Sequence, residues 1–267
     1  MSLLFSHAII ISLRRRPDRL CALQDRLRRQ GIAPVVMPAV DGRDLANDPL
    51  WLAYAASPLA QPPQETQVRS SRDFYLRNGN RAERLAYYEQ KYQRKALSRG
   101  AWAYLLSYRN ALLLARETRL DRFLLLDDDC LLHRDFGALL AGLQADLPRD
   151  WRAVALGALQ YEWSEDWISW AGPRLYRCHG SSVGSHAMAY RGAVVDELLA
   201  DLEEPDLPVD VGALHRLRRR RDRRCFVAWP NLMIQDTSDS EIGDSQVQGQ
   251  EGRRRDNVYR WRLEDYS

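Results

Sequence analysis

The sequence predicts an α/β fold of the Rossmann type, with a mostly parallel central sheet flanked by helices. Short β-branched or leucine-rich runs, typical of buried strands, alternate with segments of helical periodicity. One of these runs, 122–126, leads directly into three aspartates. The composition, 45% hydrophobic and 28% charged, is that of a globular protein. We expect residues 1–267 to form a single domain.

The start of the chain predicts a strand, a helix and a second strand. The run 7–13 is apolar and β-branched, as in a buried strand. Pro17 suits the first turn of a helix, leucines then recur at helical spacing, and Gly31 suits the helix end. The run 35–40 predicts the second strand. A strand, a helix and a strand at this spacing predict a parallel pair of strands.

The rest of the chain is less regular. Prolines interrupt the segment after residue 44, whereas 82–95 is charged and helical in pattern. We therefore expect a helical insertion at about 44–99, lying over one edge of the sheet. Further helices are expected at 101–118, 136–143 and 192–202, and further strands at 122–126, 151–159 and 225–229.

Charge, cysteines and hydropathy limit the class of protein. The net charge is only +3, but arginines are concentrated at 216–224, a block that suits phosphates, an anionic glycan or a membrane surface, or else a solvated face. The four cysteines form no C-x-x-C pair, so no zinc or disulfide framework is indicated. The apolar run 3–13 lacks a basic leader and a cleavage site, and it is too short to span a bilayer. We expect a soluble cytoplasmic protein, with peripheral contact at the inner face of the membrane through the arginine block.

The run Asp127, Asp128 and Asp129 is the sharpest chemical signal. In an open α/β sheet, ligands bind beyond the carboxyl ends of the strands, so the run should lie at that edge. Adjacent carboxylates repel one another, and a divalent cation with a diphosphate would balance their charge. If the backbone stays extended, the two outer carboxylates of this D-x-D project to the same side. Asp129 would then hold the metal and Asp127 would contact the sugar or ribose of a nucleotide-sugar; an acidic loop that caps the next helix is the structural alternative.

Other catalytic motifs are missing from the sequence. It has no P-loop, no G-x-G-x-x-G after the first strand and no G-x-S-x-G, and its five histidines show no H-x-x-x-H spacing. A metal-dependent phosphoryl or nucleotidyl transferase that uses the same aspartates remains an alternative. A nucleic-acid-binding module built on the arginine block is a second alternative, although no recognised binding motif is present and we expect no nucleic acid partner.

Several segments taken in order resemble the blocks of one family. These segments are IISLRRRPDRL, AVDG and LLLDDD in the first half of the chain, and DWRAVALG, GSHAMAYRGA, PVD and WPNLMIQDTSDSEI later. They are similar to the blocks of glycosyltransferase family 25, which contains lipopolysaccharide-biosynthesis and collagen galactosyltransferases. Gly100 and Ser107 belong to a segment that resembles the family's glycine-containing helix. Ser12 stands where asparagine is usual, and Tyr108 replaces a histidine, which leaves open an inactive scaffold.

The resemblance implies a GT-A-type fold, an inverting transfer, and Mn²⁺ or Mg²⁺ held by Asp127 and Asp129. It implies UDP-galactose or UDP-glucose as the donor and a core sugar of lipopolysaccharide or lipooligosaccharide as the acceptor, with a protein hydroxyl as the alternative acceptor. Asp210, in the PVD block, is the candidate catalytic base, with N-capping of the next helix as the alternative. The candidate residues for binding the nucleotide-sugar are Ser12, Arg14, Asp41, Gly100, Asp127, Asp128, His186 and Gln235.

Overall fold

A central mixed sheet organises the protein. The computed structural model describes residues 4–5, 7–57, 98–179, 182–203, 207–221, 224–236 and 259–267. Their strands are β1 His7–Ser12, β2 Ala33–Pro38, β3 Arg122–Asp127, β4 Cys130–Leu132, β5 Ala153–Ala155, β6 Leu159–Gln160, β7 Ile168–Gly172, β8 Leu175–Cys178, β9 Ser182–Val183, β10 Ala187–Arg191, β11 Cys225–Ala228 and β12 Met233–Gln235. The eight-stranded sheet has the order β2-β1-β3-β10-β5-β11-β8-β7, and the pairs β4–β12 and β6–β9 form two short ribbons.

The predicted α/β fold with a mostly parallel sheet is confirmed. Strand β1 pairs in parallel with both β2 and β3, as the spacing of the first strands predicts, and β5 pairs in parallel with β11. Two strands run against the others: β10 lies between β3 and β5, and β8 lies between β11 and β7. The sequence does not predict these antiparallel insertions. They make the sheet mixed.

Helices cover both faces of the sheet. They are α1 Pro17–Arg29, α2 Asp48–Ala56, α3 Arg99–Glu117, α4 Phe136–Asp146, α5 Val195–Asp201 and α6 Ala213–Arg220, with 3₁₀ turns at Leu45–Asn47, Gly192–Val194 and Leu263–Asp265. Helix α1 has Pro17 in its first turn and ends before Gly31, whose φ of 72° suits glycine. Within the described ranges, no helix has the length and apolar character needed to cross a membrane.

Only the two ends of the predicted insertion at 44–99 can be compared with the structure. Its first part contains the 3₁₀ turn and α2, and its end coincides with the start of α3, where the side chain of Ser98 accepts a hydrogen bond from the Ala101 amide. Residues 58–97, including the helix predicted at 82–95, lie outside the described residues. That part of the insertion stays a prediction.

The core lies on both faces of the sheet because its central strands are buried on both sides. Along β1, Ile9 packs on the face covered by α3, α5 and α6, whereas Ile10 packs on the face covered by α1 and α4. Along β3, Leu125 and Leu124 alternate in the same way. Continuous apolar runs of this kind are typical of parallel strands covered by helices, which explains why the sequence predicts them.

Truncation of a central strand should destabilise the whole sheet. Leu124 is fully buried, so we expect Leu124→Ala to lower the free energy of unfolding by about 2–5 kcal/mol, as cavity-forming substitutions do. Leu50, which is 61% exposed, provides the control, because Leu50→Ala should change that free energy by no more than about 0.5 kcal/mol. Urea denaturation measures both values, and equal effects would contradict the burial described here.

Candidate active site

A cleft with a volume of about 260 Å³ lies at the carboxyl ends of β1 and β3. These strands are parallel neighbours, so the segments that follow them meet at one edge of the sheet. The loop after β2, the start of α3 and the end of β12 complete the walls. The polar side chains that line the cleft are Arg15, Arg19, Asp41, Arg43, Arg99, Tyr104, Ser107, Asp127, Asp128, Asp129 and Gln235.

The backbone does not stay extended through the aspartate run. Strand β3 ends at Asp127, and the chain turns at Asp128 and Asp129 before β4 begins. The condition under which the two outer carboxylates would project to the same side, an extended backbone, is therefore not met. All three aspartates nevertheless line the cleft, each with its own partner.

Asp127 is held by a tyrosine from α3. The Tyr104 hydroxyl is 2.9 Å and 3.2 Å from the two carboxylate oxygens of Asp127 and 2.9 Å from the Ser185 hydroxyl. Burial raises the pKa of Asp127 well above its usual range, and the neighbouring charge of Asp129 raises it further, whereas the Tyr104 hydrogen bond lowers it. Burial also raises the pKa of Tyr104, so its phenol stays protonated and can donate.

The other two carboxylates are held from β1 and β12. Ser12 donates to Asp128 at 2.7 Å, and the Gln235 amide donates to Asp129 at 3.2 Å. The Arg19 guanidinium lies 3.9 Å from Asp128 and 3.8 Å from Asp129. Burial raises the pKa of Asp129 to about 7, against the opposing effect of the Gln235 hydrogen bond. The run is therefore short of positive charge, although Arg19 is close.

Two of these carboxylates fit a hard divalent cation. Among the described residues, no group of three or more His, Cys, Asp or Glu side chains is arranged to hold a metal. Mg²⁺ and related ions are, however, often held by one or two carboxylates together with substrate phosphates. Asp127 and Asp129 supply oxygen ligands, both have raised pKa values, and Oδ1 of Asp129 is buried without a hydrogen-bond partner in the described part of the chain. These two carboxylates therefore fit an ion that is also coordinated by the phosphates of a bound ligand. The metal itself stays a prediction.

The opposite wall is an arginine–aspartate pair on the loops after β1 and β2. Arg15 donates to Asp41 at 2.8 Å, and the amide of Arg43 donates to the other oxygen of Asp41 at 2.9 Å. Burial alone would raise the pKa of Asp41, but these hydrogen bonds hold it below its usual value. A Cβ on Gly42 would lie 2.9 Å from the carbonyl oxygen of Arg99, so a glycine allows this loop to close on α3.

Most of the candidate residues predicted from the sequence lie at the cleft. One exception is Arg14, one of three successive arginines after β1. Asp41, Gly100, the aspartate run and Gln235 line the cleft, and Ser12 is buried beneath it. Arg14 is exposed and is not among the lining residues, whereas Arg15 and Arg19 are. Three successive arginines follow β1, and the sequence alone does not show which of them turns toward the cleft.

His186 is part of the buried framework behind the cleft. Its side chain is 1% exposed, it is not a lining residue, and its ring centroid lies 6.3 Å from that of Trp261. Its backbone carbonyl accepts from the Asp127 amide at 2.9 Å, which fixes the end of β3. Burial lowers the pKa of His186 to about 4, so the ring is neutral at neutral pH.

Asp210 lies close to the cleft without lining it. Its two carboxylate oxygens accept from the amides of Gly184 at 2.9 Å and Val211 at 3.0 Å. The N-cap of α6 is Gly212, so the alternative role for Asp210, N-capping of this helix, is wrong. After the larger effects of burial and of the aspartate run, the charge of Asp210 raises the pKa of both Tyr104 and Asp127.

Helix α3 supplies Tyr104, which the sequence does not identify, as well as Ser107 and Tyr108, which belong to the segment that resembles the family. Tyr104 carries no motif, and its position one helical turn from Tyr108 is the only sequence signal. Ser107 accepts from the Val40 amide at 2.8 Å and so joins α3 to the loop after β2. Tyr108 is fully buried, 2.6 Å from the Tyr190 hydroxyl, and does not line the cleft.

The arginine block on α6 is largely engaged within the protein. Arg216 lies 3.2 Å from Asp201, Arg221 lies 2.9 Å from Glu197, and Arg220 contacts both carboxylates. Residues 222–223 of the block lie outside the described residues. Because α5 offsets much of the positive charge, the structure offers less support for membrane contact than the sequence does, and this contact stays a prediction.

The central sheet, its flanking helices and the acidic cleft at the ends of β1 and β3 define a GT-A-like α/β protein. The model of Glycosyltransferase family 25 (LPS biosynthesis protein) matches residues 5–192, and the chain belongs to this family. Membership identifies it as a glycosyltransferase of a family described by its part in lipopolysaccharide biosynthesis. The matched residues include the aspartate run, whereas Asp210 and Gln235 lie beyond them. No curated protein matches the chain.

The neutral, buried His186 should make stability depend on pH. Its pKa is about 4 in the folded protein and about 6.5 when unfolded, so stability present above pH 6.5 is lost as the pH falls toward 4. Between pH 7 and pH 4.5, titration of this group should lower the free energy of unfolding by about 2 kcal/mol. We expect His186→Gln to remove this contribution. Urea denaturation at pH 7 and pH 4.5 measures the free energy of unfolding of the unmodified protein and of His186→Gln. If both proteins lose the same free energy of unfolding between the two pH values, the assignment is contradicted.

Proposed function

We propose that this glycosyltransferase moves a hexose, galactose or glucose, from a UDP-sugar to a hydroxyl of a glycan acceptor, with inversion at the anomeric carbon. The acceptor would be a core sugar of lipopolysaccharide or lipooligosaccharide. The observation that carries the proposal is the meeting of four carboxylates and several arginines in one cleft, at the edge of the sheet where α/β proteins bind ligands.

The cleft offers complementary groups for the two ends of a nucleotide-sugar. Arg15, Arg43 and Arg99 bring positive charge to its walls, which suits a diphosphate. Asp41, with its lowered pKa, stays ionised and suits hydroxyl groups of the ribose or sugar as an acceptor of hydrogen bonds. Gly100, at the start of α3, presents backbone without a side chain at this wall.

Asp127 and Asp129 would hold Mn²⁺ or Mg²⁺ together with the phosphates of the donor. When bound, such an ion stabilises the negative charge that develops on the leaving nucleotide diphosphate. The protein's contribution is to hold the carboxylates in place, through Tyr104 for Asp127 and Gln235 for Asp129. Burial raises the pKa values of both carboxylates, and a bound cation would lower these values by stabilising the ionised forms.

Asp210 is the proposed base. In an inverting transfer the acceptor hydroxyl oxygen attacks C1, the bond from C1 to the diphosphate oxygen breaks, and a carboxylate takes the hydroxyl proton. Asp210 is electrostatically linked to Tyr104 and Asp127. Its present partners are two backbone amides, so an acceptor hydroxyl would have to reach it as a further partner or replace one of them.

The alternatives receive less support from these observations. Family membership favours the transfer of a sugar over the transfer of a phosphoryl or nucleotidyl group. The pairing of α6 arginines with α5 carboxylates argues against a nucleic-acid-binding module. Tyr108 lies in the core and not in the cleft, so its difference from the family pattern removes no lining group and does not favour an inactive scaffold. The cytoplasmic location stays a prediction.

A screen of donors tests the proposal directly. We expect one UDP-sugar, and no GDP- or CMP-sugar, to raise the Tm of the protein only when Mn²⁺ or Mg²⁺ is present, with slow release of UDP. Asp129→Asn should abolish the metal-dependent shift and transfer because a ligand is lost, while Asp25→Asn, at a carboxylate 66% exposed on α1, should leave both unchanged. Absence of a shift with every nucleotide-sugar, or full activity of Asp129→Asn, would contradict the proposal.

Replacement of the proposed base should separate chemistry from donor binding. We expect Asp210→Asn to lower kcat by about 10²–10⁴-fold, the usual contribution of a general base, and to leave the UDP-sugar Kd unchanged. Turnover within about twofold of the unmodified protein would remove Asp210 from this role.

A further inference from the structure

A second cavity lies beside the C-terminal segment 259–267, and we call it the C-terminal cavity. Its volume of about 700 Å³ falls in the range of pockets that hold small ligands. Aromatic and charged side chains line it, among them His133, Trp229, Trp261, Arg262, Glu264 and Tyr266. Apart from His133, these residues lie beyond the part of the chain that the family model matches.

The walls of the C-terminal cavity are held by hydrogen bonds to the β4–β12 ribbon. Leu132 and Ser267 exchange backbone hydrogen bonds of 3.1 Å and 3.0 Å, which adds the end of the chain to β4. The Tyr266 hydroxyl donates to the Asn231 carbonyl at 2.8 Å, and its ring meets that of His133 edge to face at 5.2 Å. The cavity is therefore built on regular structure.

The lining suits a sugar. The Trp229 ring packs edge to face against Trp163 at 4.9 Å, and Arg260 lies over Trp163 at 4.4 Å, so an aromatic group is fixed at one wall. Aromatic rings present apolar surface of the kind that contacts the CH face of a sugar ring. Exposed Arg262 and Glu264 offer hydrogen-bond donors and acceptors for its hydroxyl groups.

The β4–β12 ribbon connects the C-terminal cavity to the cleft. At one end of the ribbon, Gln235 donates to Asp129 in the cleft, and at the other end the chain leads back through Asn231 to Trp229 in the C-terminal cavity. Gln235 and Pro230 are five residues apart in the sequence, so the extended chain between them spans at most about 17 Å. A short oligosaccharide can cover such a distance.

We infer that the C-terminal cavity binds a sugar unit of the glycan acceptor at a distance from the hydroxyl that reacts. The inference rests on the proposed function, because it assigns the second cavity to the acceptor of that reaction. Binding there selects acceptors of several sugar units over monosaccharides. It also places the specificity for the acceptor in a segment separate from the one that binds the donor.

Direct binding tests the inference without any transfer. The probe is a delipidated lipopolysaccharide core oligosaccharide, measured by calorimetry with the full chain and no donor. We expect Arg262→Ala and Trp229→Ala each to weaken Kd at least tenfold. Arg28→Ala, at an arginine 57% exposed on α1 that lines neither cavity, is the matched control and should bind as the unmodified protein does. Because Arg262 is exposed, its truncation should leave the fold intact, which circular dichroism checks.

Steady-state kinetics adds a second measurement. With the oligosaccharide as acceptor, Arg262→Ala should raise the acceptor KM at least tenfold while kcat and the donor KM stay unchanged; with methyl galactoside as acceptor, no parameter should change. Oligosaccharide binding that is absent, or equal in all four proteins, would overturn the inference even if transfer occurs. Binding weakened by Arg262→Ala in a protein that transfers no sugar would support the cavity assignment and reject the proposed function.

Discussion

The need to bury three adjacent carboxylates determines how this protein is assembled around its cleft. Carboxylates placed side by side away from water repel one another and lose hydration, so each needs a separate donor. Tyr104 from α3, Ser12 from β1 and Gln235 from β12 supply one donor each. The turn after β3 makes this possible, because it directs the three side chains to three different elements. The cleft exists only where these elements meet.

The sequence predicts those parts of the fold that carry a strong local pattern. The apolar runs of β1 and β3 and the leucine spacing of α1 identify them, since strands buried on both faces are continuously apolar. Strand β10 pairs antiparallel with β3 and β5, and nothing in AMAYR indicates direction or neighbours. Strands β4 and β12 have three residues each, too few to show a period. Their pairing depends on contacts distant in sequence.

The candidate site shows the same division. The aspartate run is found from the sequence because its chemistry is concentrated in adjacent residues. Tyr104 and Arg15 are not found, since their roles depend on which side of a helix or loop faces the cleft. His186 is identified as a site residue, yet its influence passes through a backbone carbonyl that holds β3 and not through its ring. Side-chain identity alone does not distinguish these two roles.

The contact between Gln235 and Asp129 has a consequence for the order in which the protein matures. Translation delivers β1, α3 and β3 early, with the donors to Asp127 and Asp128. The donor to Asp129 is made more than 100 residues later, on a ribbon strand that pairs with β4. A nascent chain that ends with the family-matched residues therefore holds an incomplete cleft, and the cleft is completed only after β12 has been synthesised and has paired with β4.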